Sequence, residues 1–212
     1  MISGIALTIP LLLTASPPPS SPSPDTATLI ASLARPAPAS TAYTEIHFAR
    51  LLKDPLVLHG QLDYGGADKL GKRVDTPYKE TTTIADGKAT IAREGRGSKS
   101  FGLDRAPELQ GLLASFSAML GGDAETMNRY YDIGETISEK NWTLTLTPRS
   151  PDLAKHLKTV VIDGAAKEPR CFTLTQGDGD VSVMLLGDLA ATTLPKPVTH
   201  AALDNLCHAA AQ

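Results

Sequence analysis

Five histidines, two cysteines and a few acidic or serine-bearing turns are the side chains in this 212-residue chain that could do chemistry. His47, His59, His156, His200 and His208 fall on separate segments. No HExxH, paired CxxC or close Asp/His cluster accompanies them, so the ligand spacing of a metal site is missing. His200 and His208 flank Cys207 on one predicted helix, but a spacing of i, i+8 is poor for sharing one ion. Asp178 and Asp180 in QGDGD have oxygens suited to calcium, yet the long ligand loop with its terminal Glu is absent, and the segment reads as a hairpin turn. Neither GxSxG nor SxxK occurs, and Gly95-Arg96-Gly97-Ser98-Lys99-Ser100 lacks the spacing of a phosphate loop. A lipid hydrolase or transferase would therefore need Ser, His and an acid brought within hydrogen-bond reach by the fold alone. Asn141-Trp142-Thr143 fits the glycosylation triplet but lies inside a predicted strand, where the match is fortuitous. No cofactor is implied.

The remaining chemistry is apolar, and it needs elements to hold it. LQGLLASFSAMLGG, from Leu109 to Gly122, carries no charge in a chain that is 20% charged. Leu109, Leu112, Leu113, Phe116, Met119 and Leu120 recur at helical spacing and form one apolar face. The other face, Gln110, Gly111, Ala114, Ser115, Ser117 and Ala118, is small and weakly polar where a solvated helix carries Lys and Glu. Pro107 and Glu108 mark the start of this helix and Gly121-Gly122 its end. Other helix starts are predicted at Asp25 or Thr26 for TLIASLAR, at Asp123 toward Tyr130, at Ser150-Pro151-Asp152 and at Thr199.

Elsewhere the apolar period is two. Leu56, Leu58, Leu62 and Tyr64 alternate with polar neighbours, and Trp142, Leu144 and Leu146 alternate with Asn141, Thr143, Thr145 and Thr147. Further strands are predicted near 45–52, 78–84, 88–93, 99–103, 157–162, 170–176 and 181–186. Turns at Gly65-Gly66, Asp86-Gly87, 94–97 and 178–180 separate several of them. The reading is α+β, mainly antiparallel, with one sheet and helices inserted between its strands. A one-faced sheet must bury that face, and the uncharged helix is the material to lay across it. Two outcomes stay open: a packed core, or a cavity between sheet and helix that takes apolar ligands.

Composition narrows the partners. A net charge of -3 and the absence of any polybasic run exclude the electrostatic footprint of a nucleic-acid binder, and 5% aromatics leave few stacking platforms. Residues 1–24 read as a short apolar export signal and a Pro/Ser-rich linker, and residues 25–212 as a single domain. Export suits an even cysteine count. Cys171 and Cys207 either form one disulfide or stay as two buried thiols.

TLIASLA, YTEIHFARLL, GQLDY and TPYKETTTI resemble the opening of the LolA-type periplasmic lipoprotein carriers. RAPELQGLLASFSAMLGGD, NWTLTLTPR and CFTLTQGDGDVSVMLLG look like a divergent branch of that family. The resemblance spans about residues 26 to 210. It implies a strongly curved, unclosed β-barrel with helices as a lid over the concave face. It also implies a non-catalytic periplasmic carrier that shuttles acylated, polyene-lipid or lipoprotein cargo between inner-membrane donor and outer-membrane acceptor proteins. The chain would act as a monomer, without nucleic acid or cofactor. The implied lipid-binding residues are Leu58, Leu62, Tyr78, Leu109, Leu112, Leu113, Phe116, Met119, Leu120, Trp142, Leu144 and Leu146. An envelope interaction module or stress sensor with the same fold is the alternative. One departure stands out. Where these carriers place an arginine before the proline, helping to hold the lid shut, this chain has Thr76 before Pro77-Tyr78, with Arg73 out of register.

Overall fold

The computed structural model describes residues 24–66, 69–105 and 107–208. Its chain order is α1 (Pro24–Ser32), β1 (Ala39–Phe48), β2 (Leu56–Gly66), β3 (Lys69–Thr76), β4 (Glu80–Ala85), β5 (Lys88–Arg93), β6 (Gly97–Gly102), α2 (Pro107–Gly121), α3 (Ala124–Tyr130), β7 (Tyr131–Ile137), β8 (Asn141–Pro148), α4 (Pro151–His156), β9 (Leu157–Ala165), β10 (Glu168–Gln176), β11 (Val181–Leu186) and α5 (His200–His208). The expected signal peptide lies outside the described residues. All eleven strands form one antiparallel sheet in the order β6-β5-β4-β3-β2-β1-β11-β10-β9-β8-β7, whose end strands do not pair, so it is an unclosed half-barrel.

The alternation read from sequence sets the faces. Tyr43, Leu58, Val74, Leu144, Leu146, Ile162, Phe172 and Met184 meet α1 to α4 on the inner face. Trp142 belongs to that face too. Its indole lies where Gly164, its cross-strand partner, has no side chain: a Cβ there would come within 2.1 Å of the ring, while the indole nitrogen donates to the Ala166 carbonyl at 2.9 Å.

The sheet is not one-faced. Ile46, Cys171, Val183 and Leu185 point outward and are buried by α5, through Leu203 and Cys207, and by the segment carrying Leu189, Leu194 and Val198. The physical reason is visible in β11: VSVMLL is a near-continuous apolar run because both of its sides are covered. Cys171 and Cys207 are joined in a disulfide, which fastens α5 to β10.

Several expectations need correction. The first helix starts at Pro24, and Thr26 is an interior residue whose hydroxyl donates to Glu135 of β7 instead of capping the helix. β1 ends at Phe48, short of the expected 52, leaving Leu51 98% exposed in the connection to β2. β3 and β7 have no counterpart among the expected strands. KLGKRVDT buries only Val74, and β7 is an edge strand whose alternation is masked by charge, so neighbours rather than their own pattern recruit them. Other signals hold. Ser150 caps α4, Asp123 caps α3, Thr199 accepts from the Ala202 amide, and Asp86-Gly87 makes a tight turn with both φ positive.

The disulfide closes a loop of sequence separation 36. Replacing both cysteines with alanine is expected to lower unfolding free energy by about 3–4 kcal/mol, measured by guanidinium denaturation.

Candidate functional site: an apolar inner face under a helical lid

The site is built from sheet ladders and a lid. On the sheet side Leu58, Trp142, Leu144 and Leu146 are all 4% exposed or less, and Leu62 and Tyr78 are half-buried against them. On the lid side Met119 is 1% exposed, with Phe116 and Leu120 packed beside it, and Leu113 is half-buried. Phe116 sets its ring edge-on to Phe172 of β10, with centroids 5.4 Å apart, an aromatic contact that pins α2 to the sheet. Leu109 and Leu112 belong to α2, but their side chains lie outside the described set.

The uncharged second face of α2 has a structural explanation. Ser117 and Ala118 are buried against neighbouring helices, and the Ala118 carbonyl accepts from the Asp123 amide at 2.7 Å. The Arg35 amide donates to the Leu120 carbonyl at 2.8 Å, which ties the end of α1 to the end of α2. Thus α2 is sandwiched, with the sheet on one side and helices on the other.

Where Phe116 and Met119 meet Met127, Tyr131, Leu146, Val160 and Ile162, the space left measures about 10 Å³, room for hardly one water. Of the two outcomes left open by sequence, close packing is the one seen between these residues. An acyl chain could enter there only by displacing the lid.

A polar cluster that the sequence did not flag interrupts this face. Glu45 sits on the inner face of β1 at 5% exposure and receives Lys72 from β3 and His47, whose Nε2 lies 3.1 Å from its carboxylate. The other histidine nitrogen, Nδ1, is 2.9 Å from the Ser182 hydroxyl. Gly60 is required by the ladder to β3, since a Cβ there would lie 1.7 Å from the Arg73 carbonyl oxygen, and it also borders the Tyr43 ring, over which the Lys72 ammonium lies at 5.3 Å. Burial alone would raise the Glu45 pKa. The His47 hydrogen bond and the Lys72 charge outweigh it and hold the carboxyl below its ordinary 4.5.

Ser182, His47 and Glu45 are the members of a hydrolytic triad, but the arrangement is a poor one for attack. Ser182 is 4% exposed in the middle of the sheet between β1 and β10, where the strand ladders occupy the backbone that an oxyanion hole would need. Its hydroxyl partners Nδ1 of His47, the histidine whose other nitrogen serves the buried Glu45 carboxylate. Three of the other histidines also make structural contacts. His59 meets Thr44 at 2.8 Å, His200 packs edge-on against Phe48, and His208 meets the buried Asp163 at 3.0 Å. Among the described residues no cluster of ligands suits a metal. Asp178 and Asp180 pair with Arg50.

At the departure position, Thr76 is exposed at the end of β3, and Arg73 faces outward in an ion pair with Asp75 at 3.0 Å. The arginine beside Tyr78 is Arg93 of β5, stacked 3.7 Å over its ring, and it was not anticipated.

An unclosed antiparallel sheet with an apolar inner face and a helical lid defines the class. The profile of the family described as outer membrane lipoprotein carrier protein LolA-like matches residues 18–210, and the chain belongs to this family. Comparison with curated proteins finds no match. Among solved structures, a LolA superfamily protein from Nitrosomonas europaea is similar at TM-score 0.40 and 11% identity, over 84% of this chain and 97% of that one. An outer membrane lipoprotein-sorting protein domain from Vibrio parahaemolyticus is similar at TM-score 0.41 and 10% identity, over 86% and 97%. LprF from Mycobacterium bovis is similar at 0.33 and 13%, over 85% and 100%. No helix among the described residues is long and apolar enough to cross a membrane.

Two variants test this account. Ala118→Glu puts a carboxylate into the 7% exposed contact between α2 and its neighbours and is expected to cost about 3 kcal/mol or more, read from thermal or denaturant unfolding. Because the folded pKa of Glu45 is depressed, its contribution to stability is complete above the unfolded value of 4.5 and is lost as pH falls through the lower folded value. Glu45→Gln should therefore flatten the acid limb of the stability curve below pH 4.5, measured by unfolding at stepped pH.

Proposed function

We propose that this chain is a non-catalytic periplasmic carrier that takes the apolar chains of lipid or lipoprotein cargo onto its inner face and shuttles them toward the outer membrane. Residues 1–24 serve as export signal and linker, and residues 25–212 as one carrier domain. An inner-membrane donor loads it and an outer-membrane acceptor unloads it, with the chain acting as a monomer.

The observation that carries this reading is α2. Its sheet-facing side meets a ladder of apolar side chains from β1, β2 and β8 to β11, and its other side rests on helices. With no charge after Glu108 in its first turn, neither face is costly to move from packing against protein to packing against hydrocarbon. In the closed state the lid residues fill the space that cargo would take. Leu113, Phe116, Met119 and Leu120 act as a stand-in for acyl chains, and Leu109 and Leu112 of the same helix are proposed to bind cargo with them. Leu58, Leu62, Tyr78, Trp142, Leu144 and Leu146 form the floor.

Energetics allow the exchange. Burying hydrocarbon gains roughly 0.8 kcal/mol per methylene, so ten methylenes contribute about 8 kcal/mol, the scale needed to offset lifting one apolar helix. Release then requires a partner that prefers the open state, because cargo shifts the equilibrium only by its differential affinity for the two states. Since Thr76 replaces the family arginine, the catch on the lid is α2 packing itself.

The close packing beneath Phe116 and Met119, with about 10 Å³ left, is equally what the second reading requires: an envelope interaction module or stress sensor with this fold and no cargo. The two readings part at the lid. A carrier purified gently from periplasmic extract is expected to release lipid in mass spectrometry and to bind a fluorescent fatty acid, with Phe116→Ala altering that affinity. Absence of lipid and of probe binding, together with a stable protein partner in pull-downs, would overturn the carrier in favour of the module.

A further inference from the structure

An open cleft of about 550 Å³ lies at the end of the β3 to β6 hairpins. Val74 lines it and also belongs to the inner-face core, so the cleft and the closed apolar interior share a wall. Six charges surround it. Arg73 pairs with Asp75 at 3.0 Å, and Arg93 pairs with Glu80 at 3.9 Å. Lys79 and Glu94 are left over, with no ion-pair partner among the described residues. The Glu94 amide donates to the Lys79 carbonyl at 3.0 Å, which roots one spare cation and one spare anion on adjacent backbone at the cleft.

Tyr43 supplies the link to the interior. Its ring is 1% exposed within the core, and its hydroxyl has no hydrogen-bond partner among the described residues. Its ring borders Gly60, the ladder partner of Val74 in the cleft wall, and burial first, then the charges of Glu45, Tyr78, Asp75 and Glu80, push the phenol pKa up. A buried phenol is a standing donor that an incoming acceptor would satisfy.

We infer that this cleft seats the head of a zwitterionic glycerolipid, one phosphate and one ammonium, whose chains run beneath α2; the inference rests on the carrier reading above. The phosphate meets Lys79, the ammonium meets Glu94, and an ester carbonyl between head and chains accepts from Tyr43. An anionic head satisfies only Lys79 and is repelled by Glu94. The cleft stands open while the apolar interior is closed, so the head docks first and the chains follow when the lid moves.

Calorimetric titration of the full chain with dihexanoyl phosphatidylethanolamine and dihexanoyl phosphatidylglycerol at low salt tests the assignment, with a fluorescent fatty acid as the control lacking the ammonium. One added ion pair at an exposed site predicts that the ethanolamine lipid binds about five-fold more tightly. Glu94→Gln should remove that preference without weakening fatty-acid binding. Tyr43→Phe should weaken both phospholipids but not the fatty acid, with melting curves confirming that each variant folds. Equal wild-type affinities, or a preference that survives Glu94→Gln, overturn the head assignment alone, since fatty-acid binding keeps the carrier reading in place. Binding of none of the three overturns both.

Discussion

Everything in this structure depends on covering one face of a sheet that does not close. Eleven antiparallel strands present an apolar inner face, and the end strands β6 and β7 do not pair with each other. A closed barrel would bury that face against itself. Here four helices do it, and α2 is the longest of them, at 15 residues. Because the hydrophobic effect is non-directional, the cover is held by area and shape rather than by specific bonds. Such a cover can be exchanged for another apolar body of similar shape. That is the physical basis on which a filled core and a carrier are compatible.

The sheet divides labour between its faces. The inner face holds the apolar contacts with α1 to α4 that the carrier proposal makes exchangeable, while the outer face carries a second, smaller core in which α5 is fastened to β10 by the Cys171–Cys207 disulfide. The covalent tie lies on the side of the sheet away from that helical cover. The Glu45–Lys72 ion pair joins β1 to β3, which share no direct ladder, and His47 links the same carboxylate to Ser182 of β11.

Much of the architecture was legible because it depends on local rules. The alternation of Trp142, Leu144 and Leu146, the caps at Ser150 and Asp123, and the turn at Asp86-Gly87 are set by backbone sterics and by hydrogen bonds a few residues long. Elements that took their shape from neighbours were not legible. KLGKRVDT becomes β3 because β2 and β4 flank it, and YDIGETI becomes an edge strand because β8 offers a ladder. The outer core was also missed. Its signal, the unbroken apolar run in VSVMLL, marks a strand buried on both sides but does not name what covers it.

By itself, the sequence determined the class of fold, the uncharged helix and the apolar faces, because periodicity and capping act over a few residues. Only the tertiary structure decided that the space beneath Phe116 and Met119 is no more than about 10 Å³, that Cys171 meets Cys207, and that Glu45, Lys72, His47 and Ser182 converge. These outcomes depend on strand register and on the packing of elements far apart in the chain. No local pattern records how closely two surfaces meet, and that distance separates a solid core from a cavity.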